Sequence, residues 1–163
     1  MRVLGIDPGS LITGFGVVEE EANRLRALAW GAIRTTAHQP LGERLKRIYA
    51  GLSDTVQNWQ PDAVSVERVF FADNPKTALI LGHARGVALL TVAHAALPLV
   101  EYSALEIKMA VVGYGRAAKS QIQQMVQTLL RLDAPPQPAD AADALAAAIC
   151  HLHTHGFQRH VRQ

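Results

Sequence analysis

Four carboxylates stand where packing alone does not ask for charge. Asp7 closes the apolar run Val3-Leu4-Gly5-Ile6 and is followed at once by the turn Pro8-Gly9-Ser10, while Glu67 closes a second short run, Ala63-Val64-Ser65-Val66. A charge at the end of a buried strand usually has a ligand. Asp140 and Asp143 lie three apart in an alanine-rich stretch, so on a helix both project from one face within a turn of its start. Each signal has a plain alternative, a turn aspartate in a hairpin or acids favoured by a helix N-terminus. Their convergence separates them from those alternatives. With the first and fourth strands as neighbours, Asp7 and Glu67 sit side by side, and a C-terminal helix crossing that point adds the other two. Four carboxylates that close repel one another unless divalent cations lie between them. Oxygen-only ligands call for Mg²⁺ or Mn²⁺ rather than zinc. Two such ions about 3.5 to 4 Å apart activate a water and stabilise both oxygens of an in-line displacement at phosphorus. Phosphodiester hydrolysis is the expected chemistry. Lys108 and Lys119 flank Gly113-Tyr114-Gly115-Arg116 and are candidates to hold the phosphate or offset its developing charge.

The elements that must position these residues follow from periodicity. Residues 2–8 and 12–20 read as a hairpin and 25–35 as a third antiparallel strand. Gly9, Gly14 and Gly16 strip side chains from the turn and the second strand, and the expectation is that phosphate or metal approaches there. Residues 41–59 carry Leu41, Leu45, Ile48, Leu52 and Val56 at helical spacing, with Arg44, Lys46 and Arg47 on the solvated side. A fourth strand spans 63–67. Asn74-Pro75 reads as an N-cap and first turn opening a long helix to about Ala96, on which Gly82 and Gly86 lie four apart. Because that helix is apolar nearly all round, Leu79, Gly82 and Gly86 are expected at a dimer contact rather than on the domain's own sheet. A fifth strand spans 99–102. Helices follow at 108–112 and 117–132, then the proline-rich link 133–138, then a last helix at 139–155 stopped by Gly156. The expectation is one domain over 1–156, with a basic tail, 157–163, that frays.

Composition narrows the setting. A chain of 163 residues, 49% hydrophobic and 18% charged, suits one globular core and excludes a fibrous or disordered chain. The net charge of +2 looks neutral until the four candidate ligands are set aside, which leaves ten of fourteen acidic side chains against sixteen basic ones. That surface suits a polyanion. One cysteine, Cys150, excludes an internal disulfide, and no signal pattern opens the chain, so a cytoplasmic protein is expected. The apolar run Val87 to Val100, broken by His94 and Pro98, is shorter than the ~20 residues of a bilayer span and is expected to be a core helix, with no membrane partner.

The motifs Gly5-Ile6-Asp7-Pro8-Gly9-Ser10, Val66-Glu67-x-Val69-Phe70, Leu81-Gly82-x-Ala84-Arg85-Gly86, Val111-Val112-Gly113, Lys119-Ser120-Gln121 and Ala139-Asp140-Ala141-Ala142-Asp143-Ala144-Leu145 occur in order along the chain. Together they resemble the signatures of the RuvC family of bacterial Holliday junction resolvases, in register from about residue 2 to residue 155. The resemblance implies an α/β ribonuclease H-like fold, a five-stranded mixed sheet flanked by helices. It also implies a homodimer that nicks four-way DNA junctions in pairs with Mg²⁺, or Mn²⁺ in its place, at two ions per site. Recombination and DNA repair are the processes implied, with 5′-phosphate and 3′-hydroxyl ends as products and the RuvAB branch migration complex as a partner. It carries metal-binding roles onto Asp7, Glu67, Asp140 and Asp143, phosphate contacts onto Lys108 and Lys119, and junction stacking onto Phe70. Lys76 and Arg116 join the DNA-contacting set. Asp73 departs from a DNA-facing loop by its charge.

Other readings compete. Sugar-kinase, actin and Hsp70-type ATPases share the strand, aspartate and glycine hairpin, but they clasp nucleotide between two such domains and this chain supplies one. Gly113 to Ser120 is one residue short of a P-loop and has Ala118 in place of its second glycine. A related ribonuclease H-like nuclease acting on RNA and a non-catalytic junction-binding module remain the alternatives of function. His151, His153 and His155 are expected at a solvated helix end.

Overall fold

The computed structural model describes residues 1–68 and 74–161. Its centre is a five-stranded sheet in the order β3-β2-β1-β4-β5. Strands β1 (Arg2–Asp7), β2 (Ile12–Glu21) and β3 (Arg24–Arg34) form an antiparallel meander. Strands β4 (Ala63–Arg68) and β5 (Leu99–Ser103) continue it in parallel, as connections through helices require. The strand bounds agree with the sequence within a residue or two.

Period-two alternation divides the side chains between two cores. Leu4, Ile6, Val17, Val64 and Val66 face α1 (Leu41–Trp59) and α2 (Pro75–His94). Val3, Val18 and Tyr102 face α3 (Ala104–Val112), α4 (Lys119–Leu130) and α5 (Ala139–Val161). The first core includes Arg44, a correction to the solvated face expected of it. Arg44 lies four residues before Ile48 and eight before Leu52, hence on the apolar stripe, and donates from Nε and Nη2 to the Ser10 carbonyl at 3.2 and 2.9 Å. Lys46 and Arg47 are exposed as expected.

Three helix boundaries depart from the sequence reading. Helix α3 begins at Ala104, four residues earlier than expected, because Ser103 and Glu106 form a reciprocal capping box, and it ends where Gly113 turns left-handed at φ 85°. Helix α5 does not stop at Gly156 but runs to Val161, so residues 157–161 continue the helix where a frayed tail was expected. The apolar run 87–100 is no single core helix. It is the end of α2 and the start of β5, separated by a turn with Ala96 at φ 53°. Helix α2 itself has the length and apolarity of a membrane span, yet only Ala84, Ala88, Thr91 and Val92 are buried, packed on α1 and the sheet.

Candidate active site

The parallel β1–β4 ladder runs from Val3 opposite Ala63 to Ile6 opposite Val66, so Asp7 and Glu67 are the next residues on adjacent central strands. Gly5 on the same face as Asp7, and Ser65 on the same face as Glu67, both look toward α5. Helix α5 then crosses the strands obliquely. Asp140 and Leu145 rest on β2 at Gly14 and Gly16, Ala144 and Ala148 on β1 at Gly5, Ala147 on β4 and His151 on β5. This crossing brings Asp140 and Asp143 over the ends of β1 and β4. It also corrects the reading of the glycines: a Cβ at Gly5 would stand 1.8 Å from the Ala144 carbonyl oxygen, and at Gly14 it would stand 2.0 Å from that of Asp140. The space beside β1 and β2 is taken by the helix, not kept for a ligand.

Behind Asp7, side chains take up two carbonyls of the turn. Thr13 Oγ1 donates to the Gly9 carbonyl at 2.7 Å, and Thr35 Oγ1 and Arg44 converge on that of Ser10. Arg44 is a supporting residue that the sequence reading missed, although its spacing from Ile48 carried the signal.

Charge at the site is concentrated and little screened. The Asp7 carboxyl is pushed up to about 7, first by burial, then by the negative charges of Asp143, Glu67 and Asp140, with Lys119 opposing. Burial and Asp143 also raise Glu67, against Lys119 and Lys108. Lys119 Nζ is 2.8 Å from Asp143 Oδ2, and this ion pair holds the lysine charged above its usual range. Among the described residues, no three His, Cys, Asp or Glu side chains converge into a ready cage for a metal ion. The donors are nonetheless hard oxygens that repel each other, the condition a small divalent cation relieves. Beside them opens a cleft of about 270 Å³ lined by Glu67, Lys108, Lys119, Ile122 and Asp143.

The remaining candidates are spread around this centre. Arg116 is exposed in the link between α3 and α4, and Lys76 is exposed in the first turn of α2, where Asn74 Oδ1 accepts from the Thr77 N–H as the expected cap. Leu79, Gly82 and Gly86 are exposed on α2, and a Cβ on either glycine meets nothing within 4 Å, so they do not pack on their own sheet. Phe70 and Asp73 lie outside the described residues. His151 is a correction: it is buried, with Nδ1 3.0 Å from Tyr102 Oη, and not at a solvated helix end.

A mixed sheet in this order, with acids gathered over its two central parallel strands, is the architecture of a ribonuclease H-like protein. The sequence matches the family Crossover junction endodeoxyribonuclease RuvC over residues 3–151. It is 57% identical over 153 residues to the protein of that name from Syntrophotalea carbinolica, and 52% identical over 151 residues to that from Desulforamulus reducens, covering 94% and 93% of both chains respectively. It superposes on T. thermophilus RuvC in complex with Holliday junction substrate with a TM-score of 0.92 at 35% identity, covering 97% of this chain and 96% of that one. The yeast mitochondrial Holliday junction resolvase, at 14% identity and a TM-score of 0.72 over 98% of this chain and 81% of its own, shares the fold. This chain belongs to the RuvC family.

Proposed function

We propose that this protein is a structure-selective endonuclease that resolves four-way DNA junctions by paired, metal-dependent hydrolysis of phosphodiester bonds. The carrying observation is the meeting of Asp7, Glu67, Asp140 and Asp143 over the ends of β1 and β4, in a chain of this family. Those four carboxylates would hold Mg²⁺, or Mn²⁺ in its place, at two ions per site. When bound, the cations would supply Lewis acidity that activates the attacking water and offsets charge on the scissile phosphate. The chain's own residues do the rest. Lys108 and Lys119 line the cleft beside the acids and hold the phosphate against them. Lys76 and Arg116, both exposed, reach the flanking backbone, where each contact adds affinity without reading sequence. Phe70 is assigned to stacking on bases opened at the crossover, which supplies about 1 to 3 kcal/mol per base. Cleavage in this way leaves 5′-phosphate and 3′-hydroxyl ends.

Two nicks on opposing strands need two sites, and a two-fold dimer supplies them. The outer face of α2 supports that reading. Leu79 and Leu90 are 65% and 49% exposed, and Gly82 and Gly86 leave the backbone open to close approach. One domain carries the activity, and the basic residues 157–163 at the end of the chain add charge. A cytoplasmic setting fits the free, buried Cys150, and the RuvAB complex is the proposed source of the junction. The test is incubation with a mobile four-way junction and with linear duplex of matching sequence, each with Mg²⁺ and with EDTA. Nicking of the junction alone, and only with metal, is expected. Equal cutting of the linear duplex would favour a general nuclease, and binding without cutting would favour a junction-binding module.

A further inference from the structure

The Lys119–Asp143 pair joins unlike environments. The lysine side chain is 62% exposed and the aspartate 17%. The ammonium therefore sits at the mouth of the cleft, on a carboxylate that is largely sealed from water. It occupies an oxygen that a divalent cation would need, and two cations on one carboxylate repel each other. Lys108 lines the same cleft but makes no ion pair among the described residues. Lys119 thus differs from Lys108 in holding a carboxylate by direct contact and in facing Asp7 and Asp140 as well as Glu67, so that moving it frees a carboxylate.

We infer that Lys119 is the exchangeable counter-ion of Asp143: it holds that carboxylate in the free protein, passes to a DNA phosphate when the junction binds, and so couples substrate binding to metal binding. The inference rests on the reading of Asp143 as a metal ligand. The exchange conserves charge pairing, because the ammonium leaves one anion for another as the cation takes its place. The mobility it needs is available, because a lysine at a cleft mouth is held by an ion pair worth no more than a few-fold in equilibrium. Coupling of this kind is reciprocal, so metal must also tighten the junction. Its consequence is that the hydrolytic centre is completed on DNA rather than before it.

The test measures Mn²⁺ binding by electron paramagnetic resonance, with and without a junction kept intact by low temperature. Without DNA, Lys119→Met should bind Mn²⁺ about three- to fivefold more tightly than the unaltered protein, the loss of one partly exposed ion pair. Lys108→Met removes the same charge without freeing a carboxylate and should change binding less than twofold. With the junction present, the unaltered protein should gain more Mn²⁺ affinity than Lys119→Met does, by about the same factor. The inference is overturned if Lys119→Met binds Mn²⁺ no more tightly than Lys108→Met, or if the junction tightens Mn²⁺ equally in both. If Asp143→Asn binds Mn²⁺ as tightly as the unaltered protein, Asp143 is no ligand, and the site reading falls together with the inference.

Discussion

The backbone of Gly14 meets the carbonyl of Asp140 so closely that a single added methyl group at Gly14 would stand 2.0 Å from its oxygen. Gly14 is the β2 partner of Asp7, so the height of the helix that carries Asp140 and Asp143 above this pair of strands is set by hydrogen atoms where side chains would be. Gly14→Ala should lift α5, lower stability by about 1 to 3 kcal/mol through overpacking, and abolish cleavage. Gly42→Ala, at an exposed position of α1 with nothing within 4 Å, should raise stability by about 0.5 to 1 kcal/mol. Urea unfolding of the two variants with a junction cleavage assay decides it. A Gly14→Ala protein that unfolds and cuts normally would show that close approach is not what places the helix.

Asp7→Asn, Glu67→Gln, Asp140→Asn and Asp143→Asn should each stop cleavage while junction binding holds or tightens. Each removes an oxygen anion without removing a basic contact, and each reduces the negative charge that faces DNA. Gel shift and cleavage on the same samples separate the two effects. A variant that cuts at near the normal rate is not altered at a metal ligand, and one that folds but no longer binds overturns the division of labour.

Asp7 also predicts a pH dependence whose sign follows from its environment. In the folded protein its carboxyl keeps a proton up to about pH 7, whereas the ordinary value is 3.8. Between those values the folded state binds the extra proton, so stability falls as pH rises through the window. Asp7→Asn removes that loss. In EDTA it should be more stable than the unaltered protein by about 1 to 3 kcal/mol at pH 8, with the difference gone by pH 4. Metal must displace the same proton, so Mn²⁺ affinity of the unaltered protein should climb through pH 7. Melting curves that keep a constant gap across pH 4 to 8 would contradict this.

The buried His151–Tyr102 contact carries the opposite dependence. Burial, with His155 adding, lowers the imidazole below its ordinary 6.5. Below that pH the unfolded chain takes up a proton that the folded chain refuses, so stability drops as pH falls. His151→Gln should flatten the melting temperature between pH 5 and 7. Parallel curves for the two proteins would remove His151 as the source.

Gly86→Glu should yield folded monomers, because a charge on the exposed face of α2 would be left unpaired between two helices. Those monomers should bind junctions poorly and make single, uncoordinated nicks in a supercoiled plasmid carrying a junction. Sedimentation gives the state and the plasmid gives the coordination. A dimer that still linearises the plasmid in one binding event would move the interface elsewhere.

The strands, the α1 helix, the N-cap at Asn74 and all four carboxylates were legible in the sequence, because each is written within a dozen residues as period, cap or charge in an apolar run. The antiparallel neighbourhood of the first three strands was legible as well, whereas the pairing of the first strand with the fourth entered the sequence reading as a premise that the sheet order bears out. Three features were not. The glycines of β1 and β2 announce close approach, but whether by ligand or by helix depends on residues more than a hundred positions away. His151 reads as one of three histidines near a helix end, and its burial comes from Tyr102 and the oblique crossing of α5 over β5. Lys119 reads as a candidate phosphate contact, but its hold on Asp143 arises because the start of α4 and the start of α5 end up on one cleft. What the sequence by itself determined was the inventory of elements and the chemistry at their ends, since propensity, capping and periodicity act over a few residues. What only the tertiary structure decided was which oxygen meets which ammonium and which backbone touches which helix, because those contacts form between segments that chain order separates and packing alone brings together.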